Sequence, residues 1–296
     1  MVESLPPHSG SGLEVCVSSS ILSDLATRFG QQDAEIIYYA VSILAIPARY
    51  ESCPFRVVFS GRLWEQQKRI SLVLESLIKA CSMADVDISA TIIRDGYSRS
   101  ICECQAIEAG LGDRITFMGR QPVASVREIL QVSQAIILMS DFEGLPVALL
   151  EGMAAGLVPV ARIISSCVPG LVEHGRTGFL VSDSPDEAAA ALALLAKDPA
   201  LWKTCSDQAR ELVSTVYSDE ISNDKCLNLL RQLQKLCSIS YPIKDRRSVN
   251  LARLSPVIKA PYHKVRPFQS FRFHDRYATA MAQLKGWLKH VLGRAS

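Results

Sequence analysis

A doubly wound α/β fold, with helices on both faces of a parallel sheet, is the architecture this 296-residue sequence predicts, and three observations predict it. Between Phe55 and Val181, short β-branched and aliphatic runs alternate with longer stretches of helical periodicity. The runs are apolar at successive positions, as strands buried on both faces are. Each pair of runs is separated by a segment long enough for the crossover that parallel pairing requires.

The expected strands are RVVFS (56–60), ISATIIR (88–94), RITFM (114–118), AIILM (135–139), VPVARI (158–163) and GFLV (178–181). Helical patterns fall near 66–81, 98–110, 124–132 and 146–155, with a short connection near 169–174. Three further helices are expected. Ser184 and Pro185 start one at 185–197, Asp198 and Pro199 start another at 199–215, and a third runs over about 219–237. Residues 1–54 are less regular: EVCVSS is strand-like, a short helix is expected near 20–29, and EIIYYAV is strand-like again. From Ser238 onward, four prolines and dense positive charge suggest an extended segment, followed by a helix over 275–292.

Composition narrows the function. The chain is 48% hydrophobic and 21% charged, which is ordinary for a globular protein able to bury a sizeable core. No apolar run approaches the roughly 18 residues of a membrane span. The first fourteen residues lack a basic start followed by an apolar core, so no secretory signal is expected and the chain is expected to be cytoplasmic. Nine cysteines without a CxxC pair read as thiols in a reducing compartment. Five histidines form no HxxxH or HExxH pattern, and no metal site is expected. Residues 241–296 hold twelve Lys or Arg against Asp245 and Asp275, a balance of +10 that leaves −8 for the rest. Tyr277, Met281, Leu284 and Leu288 share one face of the terminal helix, with Lys285 and Lys289 beside it. Such a basic amphipathic helix suits either the inner face of a membrane, as a peripheral contact, or a protein surface. No RRM, KH, zinc-finger or helix-turn-helix pattern supports nucleic-acid binding.

The candidate site follows from the fold, because ligands of open parallel sheets bind outside the carboxyl ends of the strands. AIILM ends at Met139 and SDFEGLP follows at once, which puts Glu143 and Gly144 on that rim. Pro146 suits the first turn of the next helix, with Glu151 about one and a half turns further in. Backbone amides near Gly144 and Leu145 at the helix start would meet an anion, while the two carboxylates could accept hydrogen bonds from hydroxyls. The arrangement fits a ligand that is both phosphorylated and polyhydroxylated. In FSGRLWEQQKR (59–69), Gly61 frees the backbone after the first strand, and Arg62 and Lys68 could neutralise a diphosphate without metal.

Taken in order, GRL and the following lysine, RDG (94–96), ITFMG (115–119), SDFEGLPVALLEGMAAGLVPV (140–160) and VEHGRTGFLV (172–181) resemble the carboxyl-terminal domain of family 4 glycosyltransferases of the GT-B fold. The resemblance spans about residues 13–237. It implies a Rossmann-like donor domain over 55–237, preceded by a remnant of an amino-terminal acceptor domain over 1–54 and followed by a basic tail over 238–296. It further implies Arg62, Lys68 and Glu143 as catalytic residues, with Arg62 and Lys68 on the donor diphosphate and Glu143 near the donor sugar. Gly61, Gly119, Gly144, Leu145, Pro146 and Glu151 would bind the nucleotide sugar, with Glu151 on the ribose. The implied reaction is retaining transfer from a nucleotide sugar to a glycan or lipid-linked acceptor in polysaccharide or glycolipid assembly, without metal or other cofactor. The sequence departs from the family pattern at Arg69 and Arg94, which replace glycines, and at Gly170, which replaces an acid. Only about 54 residues precede the donor domain, where the family has a full acceptor half; a truncated gene, a misplaced start, a partner chain supplying that half and a decayed enzyme are each consistent with this. A non-catalytic nucleotide-sugar-binding subunit is the alternative from another class, and a GT-B nucleotide-sugar epimerase a further one.

Overall fold

The computed structural model describes residues 14–29, 34–164 and 167–237. The expected basic tail and its terminal helix lie outside the described residues.

Six parallel strands form the central sheet: β3 (Phe55–Ser60), β4 (Ile88–Ile93), β5 (Ile115–Gly119), β6 (Ala135–Leu138), β7 (Val158–Arg162) and β8 (Phe179–Val181). Their order is β5-β4-β3-β6-β7-β8. The chain therefore begins in the middle, winds outward through β4 and β5, returns to lay β6 against β3, and winds out the other way. Between β3 and β6 the direction of winding reverses, and the loops leaving these two strands diverge to open a crevice.

Alternate residues of each strand enter two separate apolar layers, as the period of two dictates. Val57, Ile92 and Ile137 face one layer; Val58, Ile93 and Ile136 face the other. The first layer is covered by α3 (Ile70–Cys81) and α8 (Pro185–Lys197), the second by α6 (Val147–Ala154) and α9 (Pro199–Val216). Helix starts follow the sequence closely. Ser184 accepts a hydrogen bond from the Glu187 amide at 3.3 Å, and Asp198 accepts from Ala200 and Leu201 at 3.0 and 2.9 Å. The remaining helices are α4 (Arg99–Glu108), α5 (Val123–Gln131), the short α7 (Val168–Leu171) and α10 (Asp219–Cys237).

Three expectations need correction. The helix expected over 66–81 is two, α2 (Glu65–Lys68) and α3, because Arg69 between them adopts a left-handed conformation with φ 46°. The second amino-terminal strand, β2 (Ala34–Ile36), is shorter than EIIYYAV and pairs with β1 (Glu14–Cys16) beyond the helix α1 (Ser19–Phe29). The residues after it run irregularly because other elements take their polar groups. The Val41 amide donates to Tyr217 O at 2.9 Å, Ala48 to Ala155 O at 2.7 Å, and Ser222 Oγ to Tyr38 O at 2.9 Å. Pro146 stands one residue before α6 rather than in its first turn, and its carbonyl accepts from Leu149 and Leu150.

Candidate functional site

The crevice at the winding reversal brings two of the expected residues into contact. Lys68, at the end of α2 after β3, donates to Glu143, in the loop after β6, with Nζ 2.5 Å from Oε1. Both side chains are largely enclosed, 13% and 7% exposed. A pair so placed has given up most of its hydration and depends on its partner. The two loops are tied together again by the Asp141 amide, which donates to Gln67 O at 2.9 Å. Arg62 lies at the surface beside them, 3.0 Å from Gln67 Oε1 and stacked on Trp64.

Gly144 is exposed, and Leu145 and Pro146 are buried under the loop. The Gly144 and Leu145 amides donate to nothing among the described residues. A Cβ on Gly144 would lie 3.7 Å from Ile21 of α1, so the amino-terminal helix passes close to this rim. Gly61 is required for space rather than for backbone freedom, since a Cβ there would meet the Phe59 ring at 2.9 Å. Gly119 closes β5 at φ 65°, where its carbonyl accepts from the Arg94 amide at 2.6 Å.

Glu151 is held apart from this cluster. It projects from α6 into a cavity of about 340 Å³ walled by the 40–44 segment, Arg94, Gln121, Arg127 and Asp219. Burial pushes its carboxyl above the ordinary carboxylate range, and Arg94 and Arg127 oppose that shift. The carboxylate accepts no hydrogen bond among the described residues. Thus the crevice has a charged centre at Lys68–Glu143 and a separate recess with a free acceptor at Glu151.

Three features lie outside the site residues that the sequence marked. Ser140, two residues past β6, has a buried hydroxyl with no partner among the described residues. Arg162, at the end of β7, sits 2.9 Å from Asp141 and 3.1 Å from Asp183, and Arg69 joins the same two acids. Arg94, at φ 88°, puts a guanidinium beside Glu151 from strained backbone. Arg162 was findable, since a polar residue at the carboxyl end of a buried parallel strand lies on the ligand-facing rim. Ser140, which follows the expected strand AIILM, was findable by the same rule.

The model for glycosyl transferases group 1 matches residues 54–198, the segment that supplies Arg62, Lys68, Glu143 and Glu151. Residues 54–198 belong to the group 1 glycosyl transferases. Among the relatives of this group 1 domain is the N-acetyl-alpha-D-glucosaminyl L-malate synthase of Bacillus anthracis, 30% identical over 53% of this chain and 44% of that protein. Another is the lipopolysaccharide 1,6-galactosyltransferase of Salmonella typhimurium, 29% identical over 56% of this chain and 47% of that protein. The chain spans about half the length of these curated relatives. Solved structures share the fold: Anabaena Alr3699/HepE in complex with UDP and glucose superposes with a TM-score of 0.65 at 18% identity, over 74% of this chain and 63% of that one. The pneumococcal O-GlcNAc transferase GtfA in complex with UDP and GlcNAc gives 0.62 at 17%, over 75% and 45%. The sheet and its helices therefore form the Rossmann-like half of a GT-B architecture. No helix among the described residues is long and apolar enough to cross a membrane.

Proposed function

We propose that the chain is the donor-binding half of a retaining glycosyltransferase that moves a sugar from a nucleoside diphosphate to a glycan or lipid-linked acceptor. The observation that carries this is the Lys68–Glu143 pair at the winding reversal, with the unused Gly144 and Leu145 amides beside it and Glu151 in its own recess. One ligand satisfies all of these groups. Its diphosphate draws Lys68 from Glu143 and meets Arg62; its ribose hydroxyls donate to Glu151; its sugar hydroxyls take over Glu143 as Lys68 leaves. A UDP-hexose is in keeping with the two solved neighbours, whose complexes contain UDP and a sugar.

Transfer then needs no protein nucleophile. The sugar–phosphate bond breaks as the acceptor hydroxyl attacks from the same face, and a leaving-phosphate oxygen takes the hydroxyl proton. Arg62 and Lys68 stabilise the charge that accumulates on the diphosphate. A second lobe, from a partner chain or from further sequence, completes the acceptor site and excludes water. By itself the chain is expected to transfer its sugar slowly, mainly to water.

Proton NMR of the sugar released from UDP-glucose and UDP-galactose checks this. Release above the enzyme-free rate, with configuration at the anomeric carbon retained and lost in Lys68→Ala, is expected. Tight binding of donor with no release above that rate would favour a non-catalytic binding subunit.

A further inference from the structure

A second cavity, of about 500 Å³, opens beside Arg62 between the loops that leave β3, β4 and β5. Apart from Arg62, the transfer chemistry uses none of its lining. Two aromatic rings face it with unusual exposure, Trp64 at 40% and Tyr97 at 95%. Two guanidiniums join them. Arg62 lies over the Trp64 ring, 5.1 Å from its centroid, and Arg120 lines the same space. Neither arginine has an acidic partner among the described residues. The one acid in the lining, Asp95, is already engaged by the Gly96 amide at 2.9 Å and the Arg99 guanidinium at 3.7 Å. The cavity is thus an aromatic shelf with two guanidiniums against one carboxylate, a net positive lining.

The shelf is rigid as well. The Leu63 amide donates to Asp95 O at 3.2 Å, and Leu63 O accepts from the Ser98 amide at 3.4 Å. Gly96 sits so close that a Cβ would lie 2.3 Å from Leu63 O. These contacts lock the loop that carries Trp64 to the loop that carries Tyr97. Single exposed aromatics are commonplace. Two of them on interlocked loops, around one cavity with two unpaired cations, make a preorganised surface. Aromatic faces suit the C–H face of a pyranose ring, and guanidinium forks suit carboxylate and phosphate. A nucleobase would also stack, but the nucleoside is drawn to the Glu151 recess.

We propose that this cavity is an acceptor subsite for an acidic sugar, whose ring stacks on Trp64 and Tyr97 and whose anionic group pairs with Arg120. The inference rests on the donor reading, because that reading gives Arg62 to the diphosphate and so puts the subsite next to the reacting bond.

Trp64 reports on its own environment, so fluorescence titration of the full chain tests the subsite. Tetragalacturonate and glucose 6-phosphate serve as carboxylate and phosphate probes, maltotetraose as the neutral control, and UDP as the donor-side control. The expected result is saturable binding of at least one acidic probe, with maltotetraose about tenfold weaker. Arg120→Ala should weaken the acidic probe about tenfold, the factor a charge-assisted hydrogen bond is worth, and Tyr97→Ala should weaken it too. UDP affinity should be unchanged in both variants, and UDP should not displace the acidic probe. Equal binding of neutral and acidic sugars, indifference to Arg120→Ala, or displacement by UDP would overturn the subsite. Failure of both acidic probes while UDP binds normally would overturn it without touching the donor reading. Failure of UDP alone would overturn the donor reading instead.

Discussion

Glu151 is a residue whose usefulness and stability pull apart. Burial raises its folded-state pKa, so the folded chain holds that proton more tightly than the unfolded chain does. Its contribution is fully present below the ordinary carboxylate range and is lost as pH rises through the higher folded value. Ionised, it therefore costs stability, because the buried carboxylate accepts no hydrogen bond among the described residues. Glu151→Gln, which never ionises, should melt higher than the parent near pH 7, with the gain vanishing as pH falls to about 4. The same variant should lose about 1–3 kcal/mol of nucleoside diphosphate affinity. A gain that does not depend on pH would show that ionisation is not its source. The Lys68–Glu143 pair makes the complementary case. Glu143→Ala should destabilise the chain by about 3 kcal/mol in denaturant titration, by stranding an enclosed cation. Nucleoside diphosphate affinity should not fall, because the released Lys68 faces the phosphate. At this scale the sequence drew attention to Glu143 and Glu151, since both stand out in an apolar stretch. It said nothing of their separation into a charged centre and a recess, which depends on where 40–44 and Arg127, far apart in the chain, pack.

Among the elements, the strands and the capped helices were legible because local chemistry decides them. Buried strands need continuous apolar runs, and Ser184 and Asp198 announce their helices through the amides they satisfy. The break at Arg69 was not legible, because a left-handed residue is signalled by glycine and here the position is arginine. Its side chain offsets part of the cost by joining Asp183 and Asp141, pairs exposed enough to be worth under about 1 kcal/mol each. Two variants separate these contributions. Arg69→Ala loses the ion pairs and keeps the strain; Arg69→Gly loses the pairs and relieves it. Gly should therefore exceed Ala in stability by about 1 kcal/mol, read from urea midpoints. If Ala proved the more stable, the strain assigned to φ 46° would be refuted.

For the whole molecule, the order of six strands explains why residues from distant parts of the chain form one site. Winding outward twice from the middle leaves the loops after β3 and β6 side by side, and these carry Lys68 and Glu143. That topology was legible from the alternation of strand and helix, which admits few arrangements. The course of residues 38–48 was not, since it is set by contacts with α9, α10 and the end of α6 rather than by local pattern. This segment is nevertheless part of the site, because it walls the Glu151 recess. The central claim is that this one crevice binds a nucleoside diphosphate through protein cations and amides. Calorimetric titration of the full chain with UDP, GDP and ADP in the presence of chelator tests it most directly. Saturable one-to-one binding of at least one of the three, weakened in Arg62→Ala and in Glu151→Ala, is the predicted result. No heat with any of the three, or binding that neither substitution alters, would contradict it.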